Sequence, residues 1–111
     1  MDTTTLRAAH LALLDAAALV DKSGGSGLTP SDGGWNADQI LGHVALVDAA
    51  TLATAASIAA GANVTFDNRA LLDTWTIDNV TAIAVGSHGL RDRLRALGEA
   101  LCLRGASVVA D

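Results

Sequence analysis

The chain has 111 residues, half of them hydrophobic but only 3% aromatic, with seven basic against twelve acidic residues and a formal charge of -5. That length suits one domain spanning residues 1–111, and the apolar half excludes a disordered chain. The acidic balance and the lack of aromatic stacking surface argue against nucleic-acid binding, and a single Cys rules out an internal disulfide scaffold. The apolar share is met mainly by Ala and Leu, which favours helices over strands.

The first helix is predicted from about Thr3 to Asp21. Thr3, Leu6, His10, Leu13, Ala17 and Val20 recur at spacings of three and four and form one stripe, which Leu11, Leu14 and Ala18 widen. The Gly/Ser-rich run Lys22 to Gly27 ends it. The loop continues through Pro30 to Trp35. Asn36 is a good N-cap, Gln39 completes a variant capping box, and Asp38 suits the positive end of the helix dipole. Trp35 is placed to staple onto Ile40 or Leu41. The second helix then presents Ile40, His43, Val44, Val47, Thr51, Thr54 and Ile58 on one face, and Gly61 stops it.

A linker from Ala62 to Asp67 leads to a helical turn expected from Asn68 to about Trp75. The last long helix is predicted from Thr76 to about Leu103. Its stripe is Val80, Ile83, Ser87, Leu90, Leu94, Leu97 and Leu101. Gly86 and Gly89 lie inside it at a cost of roughly 1 kcal/mol each relative to Ala, and suit either close helix approach or a kink. Gly105 is expected to end the helix, leaving Ala106 to Asp111 as a tail.

Three long helices and a short helical turn, joined by short connections, predict an all-α antiparallel bundle. Broad stripes over a thin, aromatic-poor core point to a surface borrowed from a second copy, a homodimer. The longest uncharged stretch, Ala49 to Phe66, has the minimum length of a membrane span but is mostly Ala and Thr. The N-terminus lacks the basic start of a signal peptide. The expectation is a soluble, cytoplasmic protein with no membrane partner.

His43 and His10 are the candidate metal ligands, since each lies in an apolar stripe where an imidazole must satisfy its nitrogens. Two inward histidines on adjacent helices suit a shared divalent ion (zinc, nickel or iron); the alternative is a pair of hydrogen-bonded core histidines. His88 takes a boundary position. No two histidines are three or four residues apart. Cys102 reads as a small buried hydrophobe. Asp15, Asp21, Asp48 and Asp73 read as solvated faces or caps.

The run Gly34-Trp35-Asn36-Ala37-Asp38-Gln39-Ile40-Leu41-Gly42-His43-Val44 resembles the Gly-Trp…Leu-x-His signature of the DinB-like superfamily. The nearest branch is the metal-binding N-terminal type of mycothiol-dependent maleylpyruvate isomerases. The Ala and Asp content fits an actinobacterial genome. The resemblance implies a commonly dimeric helical bundle and a divalent metal on three histidines, with His43 matching the one on the second helix. The family's other two form a His-x-x-x-His pair on a final helix, and this sequence ends before such a helix. The chain thus resembles the first three helices of a four-helix plan. The resemblance implies either a truncated or degenerate member, or one that takes the missing element from a partner. Three functions remain open: a self-associating bundle without a complete metal site, a metal-dependent thiol transferase or isomerase using His43, and a module holding an apolar small molecule or thiol between helices.

Overall fold

The computed structural model describes residues 2–31, 33–63, 72, 74–84 and 86–109. The order is α1 (Thr4–Lys22), α2 (Ala37–Ala59), α3 (Thr74–Ala84) and α4 (Gly86–Val109). The chain is all-helical among the described residues, as the composition predicts. The helical turn expected at Asn68–Trp75 lies largely outside the described residues, as do the last two residues of the tail.

The opening of α2 follows its sequence closely. The Asn36 side chain accepts from the Gln39 amide at 2.8 Å, and the Gln39 side chain accepts from the Asn36 amide at 3.0 Å, completing the capping box. Two donors that a helix start leaves unpaired are thereby satisfied. Trp35 sets its ring against His43, with centroids 5.2 Å apart and the planes tilted by 52°.

The last predicted helix is two helices. Gly86 takes φ +86°, a left-handed conformation that a side chain opposes, and this divides α3 from α4. A Cβ on Gly89 would lie 1.5 Å from the Ala84 carbonyl oxygen, so the second glycine lets the end of α3 fold back onto the start of α4. Periodicity alone runs across this junction, because Val80, Ala84, Leu90 and Leu94 all face the same core. Gly105, by contrast, does not stop α4, which continues to Val109. A single glycine costs only about 1 kcal/mol in a helix, and no proline follows it.

The core is formed by Leu14 and Ala17 of α1, Leu41 and Ala45 of α2, Ala84 of α3, and Leu90 and Leu94 of α4. Leu13, Val44, Val80 and Leu97 pack at its margin. α4 touches all three other helices, and α1 touches α2 the least of all the packed pairs.

One face is corrected. The expected inward stripe of α2 does not fill the core. Leu41, Gly42, Ala45 and Asp48 are buried instead, while Ile40 and Ile58 are exposed. On α1, Leu11 and Val20 are exposed, and burial centres on Leu14 and Ala17. The α1 stripe thus faces inward at Leu6, His10, Leu13, Leu14 and Ala17, whereas α2 is apolar around most of its circumference and hydrophobic spacing does not select its face. Fit against Leu90 and Leu94 of α4 does. By length and composition α2 is the one helix among the described residues able to cross a membrane. In the folded chain it packs along α4 and carries a buried aspartate midway.

Candidate functional site

The polar centre of the molecule lies where α1, α2 and α4 meet. His10, from α1, places Nε2 2.7 Å from Oδ2 of Asp48 on α2, and its Nδ1 lies 3.0 Å from the Leu6 carbonyl oxygen. The side chains are 12% and 7% exposed respectively. Third in the arrangement is Gly98 of α4. A Cβ there would fall 2.7 Å from Cδ2 of the His10 ring, so the imidazole occupies space beside α4 that glycine leaves open.

Asp48 was expected on a solvated face and is instead 5% exposed. It continues the buried line Leu41–Ala45–Asp48, at spacings of four and three. A carboxylate so enclosed needs a charged or hydrogen-bonding partner, and His10 supplies it. The signal was available in the sequence: a basic side chain in one apolar stripe and an acidic one on the neighbouring helix. Spacing alone hides it, because Asp48 falls off the stripe formed by Ile40, Val44 and Val47.

Both partners of the His10 ring are acceptors. A neutral imidazole has one N–H and satisfies one of them; the imidazolium satisfies both. Burial is the largest single influence on His10 and disfavours the charged form. The hydrogen bond to Asp48, the one to the Leu6 carbonyl and the charge of Asp48 together outweigh burial, and the His10 pKa is raised.

A cavity of about 30 Å³, room for one water-sized molecule, borders the ring. Arg7, Glu99 and Cys102 contribute to its walls. Arg7 pairs directly with Glu99, and the hydrogen bond to Arg7 holds the Glu99 carboxyl below its ordinary range. Cys102 is 1% exposed, in the role of a small buried side chain.

A second polar cluster fastens the other end of α1. Arg91 of α4 meets Asp21 at 2.7 Å, and this hydrogen bond lowers the Asp21 pKa. The Ser26 hydroxyl also donates to Asp21, at 3.3 Å. Nearby in the chain, the Ser26 carbonyl accepts from the Asp38 amide and the Asp38 carboxylate accepts from the Ser87 hydroxyl at 2.7 Å, joining the loop, α2 and α4.

The two histidines expected to share a metal approach α2 from different sides. His43 sits five residues before Asp48, which is about 140° around the helix and about 7.5 Å along it. His10 has both nitrogens in hydrogen bonds at the Asp48 side, and His43 packs on Trp35. His88 is 80% exposed and lies 3.6 Å from Asp92 on its own helix. Among the described residues no group of three or more His, Cys, Asp or Glu side chains is placed to hold a metal ion.

No family model, no curated protein and no solved structure matches the chain. The resemblance around Trp35 and His43 rests on those residues and their spacing alone.

Proposed function

We propose that the chain is a non-catalytic helical bundle that pairs with a second copy of itself across the outer face of α2. The observation that carries this reading is the stripe Val47, Thr51, Thr54, Ala55 and Ile58, which lines one shallow apolar depression. Among the described residues its lining comes from α2 alone. The stripe holds no charge, and the Thr51 hydroxyl donates to its own helix, reaching the Val47 carbonyl at 2.7 Å. Its surface therefore offers a partner mostly methyl groups.

A second α2 is the occupant whose chemistry fits. An uncharged stripe needs no complementary charge and is self-complementary about a two-fold axis. Ala and Thr side chains let two helices approach closely, and the stripe is about 16 Å long, three turns of helix. Sedimentation velocity tests the proposal. The wild-type chain is expected at twice its 11.2 kDa mass, and Ile58→Glu at the monomer mass with its helical content retained. Ile58 is 56% exposed, so the substitution spares the core. A concentration-independent monomer, or a dimer that tolerates Ile58→Glu, overturns the reading.

The thiol-transferase reading rests on His43. Elemental analysis of protein purified without chelator separates the two. A stoichiometric zinc, nickel or iron ion that disappears in His43→Ala would replace assembly with metal-dependent chemistry as the function.

A further inference from the structure

We infer that the His10–Asp48 pair is a pH-sensitive latch, which fastens α1 to α2 while His10 holds two ring protons and loosens that junction when one is lost. The geometry behind this is the pair of acceptors. The Leu6 carbonyl and the Asp48 carboxylate lie 3.0 and 2.7 Å from opposite nitrogens of one ring. Loss of either proton sets a nitrogen lone pair against an oxygen at hydrogen-bond distance. No ring flip repairs this, because both partners are acceptors.

The position of the pair gives it leverage. α1 lies along α4 and meets α2 over the smallest of the helix contacts, so the ion pair is a large part of what joins those two helices. Gly98 lies against the ring from the α4 side.

The charged groups around His10 come from three elements. Asp48 faces it from α2, Arg7 from α1, and Arg95 and Glu99 from α4, where the neutral thiol of Cys102 also lies. Arg7 is neutralised by Glu99, and Arg95 pairs with Asp92 at 3.1 Å. Asp48 is thus the carboxylate that compensates the imidazolium directly.

The sign follows from the direction of the shift. His10 is raised above its ordinary value of about 6.5. The latch is closed in full below about pH 6.5 and is lost as the pH climbs through the folded-state value. Each pH unit by which the folded midpoint exceeds 6.5 changes the opening equilibrium about tenfold.

A nitrogen-15 NMR titration of the intact chain, paired with hydrogen exchange, tests this. His10 is expected to show both ring nitrogens protonated at pH 6.5 and a midpoint above the ordinary imidazole value of about 6.5. Exchange of the α1 amides, corrected for intrinsic base catalysis, should accelerate across the His10 midpoint, while the amides of α4 around Leu94 lag. His10→Gln should flatten that step, and Cys102→Ser should preserve it, showing that the thiol is not the titrating group. An unprotonated Nε2 at pH 6.5, with the shared proton on Asp48, overturns the proposal. So does an α1 exchange step that persists in His10→Gln. Should that variant fail to fold, the wild-type titration still decides.

Discussion

The two faces of α2 differ in the opposite sense from their hydrophobicity. The inward line is Leu41, Ala45 and Asp48, one large apolar residue, one small and one charged. The outward stripe holds Val47 and Ile58, the kind of branched side chains that ordinarily fill cores. Burial here is decided by fit and by partners. Leu41 and Ala45 share a core with Leu90 and Leu94 of α4, which are fully buried, and Asp48 is tolerated inside because His10 meets it. The outward stripe has the stronger apolar character and no such neighbour among the described helices. A close-packed interior rewards complementary shape as well as apolar area.

Breaking the inward face should have the largest effect. Asp48→Ala leaves an imidazolium enclosed without its carboxylate, and His10→Ala leaves the reverse. Each is expected to cost about 3–5 kcal/mol at pH 6.5, read as a shift of the urea midpoint. The double variant His10→Leu/Asp48→Leu should lose much less than the sum, since apolar residues of similar size remove both charges at once. Additive losses would mean that the two side chains do not act as a pair. Ile58→Ala on the outward stripe should leave the urea midpoint nearly unmoved at concentrations too low for pairing, because Ile58 is 56% exposed.

Gly98→Ala probes the inward face from the α4 side. Alanine gains about 1 kcal/mol in helix propensity over glycine. The added Cβ meets a ring clamped at both nitrogens, and overpacking of that kind costs about 1–3 kcal/mol. A net loss near 1 kcal/mol is expected, together with an altered His10 resonance. A gain in stability would show that the ring has freedom to move aside.

Much of the fold was legible because the signals were local. Asn36, Asp38 and Gln39 wrote the start of α2 into four consecutive residues, and Leu90 and Leu94 marked the central line of α4. The α3–α4 break was harder. Gly86 and Gly89 signalled an irregularity, but choosing between a tolerated glycine and a chain reversal requires knowing that Ala84 must lie against Gly89. Gly105 gave the opposite error: a similar glycine that the helix runs through. The inward face of α2 was not legible either. Ala, Val, Leu and Ile surround most of that helix, and the choice among faces lies in α4. With the face went the site. His10 stands out by its placement in an apolar stripe, whereas Asp48 resembles a surface residue because its partner is 38 residues away.

The smallest expected effect is at the centre of the outward stripe. Thr51→Val replaces a hydroxyl by a methyl group of nearly the same shape. Both residues are β-branched, so their helix propensities are close. The hydroxyl of Thr51 is bound to the Val47 carbonyl, which also accepts within the helix backbone, and its removal should move monomer stability by less than about 0.5 kcal/mol. Across a dimer interface the same change acts twice and removes two polar atoms from a surface that must lose water. Association should therefore tighten, on the order of a few-fold to tenfold in Kd by sedimentation equilibrium. Weaker association would mean that the hydroxyl turns from Val47 to bond across the interface. Unchanged association would move the contact off this stripe, leaving the branched residues of α2 facing solvent with no partner to explain them.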